Sequence, residues 1–175
     1  MAGILIIYST TDGHTREICL RLQKVIENTG NQVTLVDVGD AATVELESFD
    51  KIVIGASIRY GKHSPAIYAF IKENTQILDR KPNAFFTVNV VARKAEKNTP
   101  DTNPYLIKFL RQISWQPKKL AVFAGKIDYQ RYGFLDRSMI RFIMWMTKGP
   151  TDPNTNIEFT DWNQVEEFGR VVSEM

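Results

Sequence analysis

The chain has 175 residues, 43% of them hydrophobic and 24% charged, which is enough for one domain with a full core. Its 22 basic and 20 acidic side chains leave a formal net charge of +2, too balanced to suggest nucleic acid as a partner. A single cysteine, Cys19, excludes an intramolecular disulfide, and the two histidines, His14 and His63, stand too far apart in sequence to suggest a metal site.

The opening run "GILIIYS" is apolar almost throughout, as a strand buried on both faces requires. It carries no basic stretch before it and no cleavage pattern after it, so it reads as a strand and not a signal peptide, and no apolar run approaches a membrane span. The expected location is therefore cytoplasmic. From Thr15 to Asn28 the spacing of Ile18, Leu22, Val25 and Ile26 predicts a helix with Cys19 beside its apolar face, stopped by Gly30. "QVTLVDV" is the second predicted strand, followed by a short acidic stretch, and "DKIVIGAS" is the third. Pro65 opens a helix expected to run to Asn74, burying Ile67, Phe70 and Ile71. "NAFFTVNV" is the fourth strand, Pro104 to Ile113 the next helix, and "KLAVFAG" the fifth strand. "DWNQVEEFGRVV" closes the chain as a helix that Asp161 or Thr160 can cap.

Strands alternating with helices predict an α/β fold, a doubly wound parallel sheet with helices on both faces. The alternation fails once. About thirty residues, approximately 126–156, fit neither strand nor crossover helix and read as an insertion in a single domain.

In such a sheet, ligands sit beyond the carboxyl ends of the strands, where the loop from the first strand to the first helix lies. That loop, Ser9, Thr10, Thr11, Asp12, Gly13, His14 and Thr15, is rich in hydroxyls and has no lysine or arginine. Backbone amides, the helix N-terminus and hydroxyl donors can together hold a phosphate without a basic side chain. Neither a dinucleotide fingerprint nor a nucleoside-triphosphate P-loop is present. Asp12 is the odd residue there, because a carboxylate repels phosphate; it is expected to face solvent or bond the loop backbone.

Ile7–Tyr8, Ser9–Thr10, Gly13, Thr15 and Leu22 resemble the flavodoxin phosphate loop, with Cys19 where a small alanine is usual. "SFD", "VIGASIRYGKHS", "VNVVARKAEKNTPDTNPY" and "FTDW" together resemble the bacterial flavodoxin-type protoporphyrinogen oxidases, the menaquinone-dependent protoporphyrinogen IX dehydrogenases, across essentially the whole chain. The resemblance implies a flavodoxin-like five-stranded sheet of order 2-1-3-4-5 and noncovalent FMN. It implies oxidation of protoporphyrinogen IX to protoporphyrin IX in three two-electron steps, in haem biosynthesis, with electrons passed to menaquinone or another quinone.

By the same resemblance two further loops flank the isoalloxazine: Ser57, Ile58, Arg59, Tyr60, Gly61 and Lys62 after the third strand, and Asn89, Val90, Val91, Ala92 and Arg93 after the fourth. Tyr60 is positioned to stack on the ring. Porphyrinogen carries two propionates, and arginine pairs carboxylates through its planar fork, which makes Arg59 and Arg93 the candidate substrate contacts. No side chain is assigned as a catalytic base; His63 is the possible one, although a lone loop histidine is more often a surface residue. An electron-carrier flavodoxin, an NAD(P)H-dependent quinone reductase and a membrane-associated flavin-binding module are the rival readings of the same fold.

In "RYGFLDRSMIRFIMWMTKG" the helical spacing puts Leu135, Met139, Phe142, Ile143 and Met146 on one face, with Ile140, Met144 and Trp145 as apolar surplus. From Lys126 to Lys148, five basic residues against two acidic ones give a net charge of +3. Surplus apolar surface beside a basic edge suits a greasy ligand mouth or peripheral contact with an anionic membrane, with Arg137, Arg141, Trp145 and Lys148 as the contact candidates.

Overall fold

A computed structural model describes residues 1–175. Five strands form one sheet: β1 (Gly3–Ser9), β2 (Gln32–Asp37), β3 (Lys51–Ser57), β4 (Asn83–Asn89) and β5 (Lys119–Ala124). Every neighbouring pair is parallel and the order is β2-β1-β3-β4-β5. The order reverses between β1 and β3, which places the ligand crevice of such sheets at their carboxyl ends.

Side-chain alternation along the strands divides the core in two. Ile4, Ile6, Val53 and Phe86 point to the face covered by α1 (His14–Glu27) and α5 (Trp162–Glu174), meeting Ile18, Leu22, Val165 and Phe168. Leu5, Ile7, Ile52, Ile54 and Phe85 point to the opposite face, covered by α2 (Pro65–Arg80) and α3 (Pro104–Gln112), and meet Ile67, Phe70, Leu106 and Phe109. Cys19 is fully buried among the first set, and burial raises its thiol pKa far above the ordinary range. It packs as a small apolar residue there.

Two elements differ from the sequence expectation, and one cap agrees with it. The second helix continues past Asn74 to Arg80, because Asn74 and Thr75 return their side chains to the carbonyls of Phe70 and Ile71, while Leu78 extends the buried stripe. The acidic stretch after β2 forms two short 3-10 turns, Val38–Thr43 and Leu46–Ser48. Asp161 supplies the predicted cap of α5, accepting from the amides of Asn163 and Gln164.

The segment between β5 and α5 is ordered. It contains β6 (Lys126–Asp128), α4 (Phe134–Met146) and β7 (Asn156–Glu158), and β6 and β7 pair antiparallel. A small core of Ile127, Tyr129, Tyr132 and Met144 holds α4 over the carboxyl end of the sheet. No helix is long and apolar enough to cross a membrane.

Candidate functional site

A cleft lies at that carboxyl end, with about 1070 Å³ of space including its open mouth. Four segments meet there: the β1–α1 loop, the loops after β3 and β4, and the segment carrying α4. Thr10, Thr11, Asp12, His14 and Thr15 line it from the first loop, Ser57 to Gly61 from the second, and Asn89 to Val91 from the third.

The first loop ends in Gly13, whose φ of 88° turns the chain into α1 and leaves that helix without a side-chain cap. The first amides of α1 are therefore free to meet an anion, in the direction the helix dipole favours. Thr10 Oγ1 accepts from the Gly13 amide at 2.9 Å and sets the loop's curvature. Ser9 Oγ and Thr15 Oγ1 are both buried without a hydrogen-bond partner. Two orphaned hydroxyls in one loop are costly unless a ligand satisfies them. Their chemistry fits a phosphate.

Asp12 is exposed, as one of the sequence expectations had it, but its charge is also paired. Its carboxylate accepts from Arg59 Nη2 at 2.7 and 2.8 Å. Its carbonyl accepts from Arg131 Nη1 at 3.4 Å. The acid beside the phosphate loop is thus neutralised from the β3 loop. The Arg59 guanidinium also lies over the rings of Tyr60 and Tyr132, with Nη1 buried and unpartnered.

Arg59 and Lys62 exchange backbone hydrogen bonds across a two-residue turn. Tyr60 and Gly61 occupy it with φ of 51° and 75°, the arrangement of a type I′ turn. Tyr60 is strained for a non-glycine residue, about half exposed, and donates its hydroxyl to Asp136 of α4. That hydrogen bond raises the Tyr60 pKa and joins the β3 loop to α4.

Beyond β4 the backbone makes a 3-10 turn, Val90–Arg93, capped by Asn89. Asn89 and Asn103 exchange side-chain hydrogen bonds at 3.1 and 3.3 Å, and Thr87 links this pair to His63. His63 is not on the surface. It is buried against Phe85 and Phe109, and desolvation lowers its pKa to about 3. The network ties the β3 loop, the end of β4 and the cap of α3 into one rigid rim.

Arg93 differs from the expectation that paired it with Arg59. It does not line the cleft. Its guanidinium donates to the carbonyls of Val90 and Thr147, both at 3.1 Å, clamping the β4 loop to the end of α4. Burial lowers its pKa from the usual value. Lys62 and Ala92 also lie outside the cleft lining.

His14 is held on both sides, by Glu17 at 3.1 Å and Thr160 at 2.6 Å. Glu158 lies nearby, so the ligand atoms of His14, Glu17 and Glu158 fall within 4.8 Å of one another despite their separation in sequence. The ring's two nitrogens are already engaged by hydrogen bonds, which makes this cluster a strut between α1 and the chain entering α5.

The fourth wall comes from the segment whose surplus apolar residues suited a ligand mouth. Gly125, Lys126, Ile127, Asp128, Arg131, Tyr132, Ile140, Ile143 and Met144 all line it, as does Tyr105 of α3. Within α4 the inward residues are Ile140, Ile143 and Met144; of the predicted stripe only Ile143 turns inward, while Leu135, Met139, Phe142 and Met146 are exposed. Phe134 and Trp145 extend that exposed face, at 82% and 70% exposure. Arg137 and Arg141 each spend Nε on a backbone carbonyl, of Tyr129 and Thr151, and have no acidic partner; Lys148 is exposed and also unpaired.

Residues 5–154 match the model of the flavodoxin domain family. Protoporphyrinogen IX dehydrogenase [quinone] of Escherichia coli K12 is 43% identical over 171 residues, spanning 98% of this chain and 94% of that one. The protein of the same name from Leishmania major is 44% identical over 165 residues, 94% of this chain and 71% of that one. The chain belongs to the flavodoxin-type protoporphyrinogen IX dehydrogenase family. Solved flavodoxins share its fold: flavodoxin 2 of Bacillus cereus has a TM-score of 0.58 at 16% identity, each chain covered to 99%. Two-electron-reduced Megasphaera elsdenii flavodoxin has 0.56 at 12%, with 98% and 99% covered. Membership of the flavodoxin family makes FMN the cofactor, and the orphaned Ser9 and Thr15 hydroxyls fit its phosphate.

Proposed function

We propose that this protein oxidises protoporphyrinogen IX to protoporphyrin IX and delivers the electrons to a quinone, menaquinone in particular, at an anionic membrane surface. The observation that carries this reading is full-length similarity to dehydrogenases of that name, extending through the segment that walls the cleft. FMN, when bound, supplies the two-electron chemistry through its isoalloxazine ring.

The chain's own residues bind, orient and exclude water. The amides at the start of α1, with Ser9, Thr10 and Thr15, hold the phosphate end. The Tyr60–Gly61 turn and the Asn89–Val91 loop would flank the ring, with the hydrogen-bonded network beneath them fixing their separation. Ile140, Ile143 and Met144 line the cleft and would exclude water from a flavin bound there. Arg59 neutralises Asp12 beside the loop that would hold the phosphate. His63 is buried, neutral and outside the cleft lining, so it cannot take protons from the macrocycle there.

The exposed face of α4 is the proposed membrane contact. Six large apolar residues lie on one side of a single helix, and Arg137, Arg141 and Lys148 carry charge beside them. A quinone with a long isoprenoid tail stays in the bilayer, so a contact of this kind brings the cleft to its acceptor.

Steady-state turnover tests the reading against its rivals. With FMN-loaded protein, porphyrin fluorescence should grow only when both protoporphyrinogen IX and a quinone are present. NADPH consumption with quinone and no porphyrinogen would identify a quinone reductase instead. Retention of FMN with neither reaction would identify a carrier or binding module.

A further inference from the structure

A second depression adjoins the cleft on the far side of the Tyr60–Gly61 turn. Gly61 and Tyr105 belong to both, and they are in contact: a Cβ on Gly61 would stand 3.7 Å from the Tyr105 ring. Lys62, Tyr68, Lys108 and Gln112 complete the notch over a floor of His63 and Phe109. Tyr105, Lys108, Phe109 and Gln112 follow one face of α3, which runs into Ile113, at spacings of three and four.

Its polar groups have one character. Neither Lys62 nor Lys108 has an acidic partner, and no acidic residue lines the notch. The Tyr68 hydroxyl donates to Gln112 Oε1, which leaves the Gln112 amide hydrogens free to donate. His63 is held uncharged by burial and forms an apolar wall with Phe109. Two free cations, an amide donor and an aromatic floor make a receptor for carboxylates attached to a flat hydrophobic body.

We propose that this notch binds the carboxylate edge of the tetrapyrrole, with Lys62 and Lys108 as counter-charges and Tyr105 as the aromatic wall between notch and cleft. This rests on the functional reading above and deepens it by placing the substrate. Protoporphyrinogen IX carries its two propionates on neighbouring pyrroles, so one edge of the ring is dianionic and the remainder apolar. With that edge in the notch, the macrocycle crosses the Tyr60–Gly61 turn and presents its methylene bridges to the cleft. Neither arginine expected from the sequence is needed as the main anchor: Arg93 is committed to backbone carbonyls, and Arg59 already pairs with Asp12.

The test uses FMN-loaded protein and two probes, protoporphyrin IX and its dimethyl ester, each titrated against wild type, Lys108→Gln and Lys62→Gln/Lys108→Gln. The wild type should bind the free diacid at least about tenfold more tightly than the ester, and the double variant should lose that preference. In turnover, the double variant should raise KM for porphyrinogen about tenfold with kcat little changed. Lys108→Gln, which touches no part of the flavin cleft, should leave FMN affinity unaltered. Equal discrimination between diacid and ester in wild type and double variant would overturn the assignment. Failure of the functional reading looks different: the wild type would oxidise no porphyrinogen at all, whereas the titration decides the notch without turnover.

Discussion

Arg59 Nη2 donates to both carboxylate oxygens of Asp12, at 2.7 and 2.8 Å, and so joins the β3 loop to the phosphate loop across 47 residues of sequence. The pair is partly exposed, so its direct worth is about 1 kcal/mol at most. Its larger role is to cancel a negative charge where a phosphate must sit. Arg59→Ala should weaken FMN binding by roughly fivefold, the equivalent of about 1 kcal/mol. The double variant Asp12→Asn/Arg59→Ala should bind FMN more tightly than Arg59→Ala alone, because the uncompensated carboxylate is gone. Flavin-fluorescence titration of the four proteins forms the cycle. Additive effects would show that the pair does not act on the phosphate.

Thr15 gives a prediction in which stability and affinity move apart. Its hydroxyl is buried and unpartnered without ligand, so Thr15→Val removes a desolvation cost from the apoprotein. Urea unfolding of the apoprotein should show an unchanged or higher midpoint. FMN affinity should fall by about ten- to a hundredfold, the loss of a charge-assisted hydrogen bond worth about 1.5–3 kcal/mol. A lower midpoint with unchanged affinity would make Thr15 purely structural.

His63 predicts a pH dependence of folding. Its folded pKa is lowered to about 3 by burial, below the ordinary value of 6.5. Below pH 6.5 the unfolded chain takes up a proton that the folded chain refuses. This contribution to stability is therefore fully present above pH 6.5 and is lost as the pH falls toward 3. Between pH 7.5 and 5.0 this one group should remove about 2 kcal/mol. In His63→Phe, which keeps an aromatic ring against Phe85 and Phe109, urea midpoints should fall less over the same interval than in wild type. Equal slopes would mean that His63 protonates without unfolding.

The structure changes which substitutions best test membrane contact. Arg137 and Arg141 hold backbone carbonyls of their own segment, so replacing them disturbs the cleft wall as well as the surface charge. Trp145→Ser with Lys148→Glu alters only exposed side chains. This variant should sediment with anionic vesicles several-fold less than wild type, given about 1 kcal/mol per basic residue near the surface, and salt should weaken what remains. Activity with a short-tailed soluble quinone should persist while activity with bilayer-embedded menaquinone falls. Equal sedimentation of wild type and variant would assign the exposed face another role.

Strand and helix positions and the hydroxyl-rich loop were legible because each has a local sequence signal: apolar strands, 3.6-residue stripes, and a turn closed by Gly13. The strand order came instead from the resemblance to flavodoxins. What the sequence concealed depends on long-range geometry. Periodicity located the apolar residues of α4 but not its inward side, since both sides are apolar; the choice is made by Tyr129 and Tyr132, which seat Met144. Nothing local to Asp12 announces Arg59, and nothing local to Arg93 announces the Thr147 carbonyl. His63 looks like a loop histidine until Phe85 and Phe109 close over it. The role of the segment between β5 and α5 as a cleft wall follows from the β6–β7 pairing, whose strands are only three residues each and carry little pattern.

Anaerobic mixing of the FMN-loaded protein with protoporphyrinogen IX, without quinone, decides whether the macrocycle reduces this flavin. The oxidised-flavin absorbance should bleach within a single turnover as the macrocycle is oxidised, and a quinone added afterwards should restore the yellow colour and sustain growth of porphyrin fluorescence. A flavin that stays oxidised in the presence of porphyrinogen, yet is reduced by dithionite, would contradict the account.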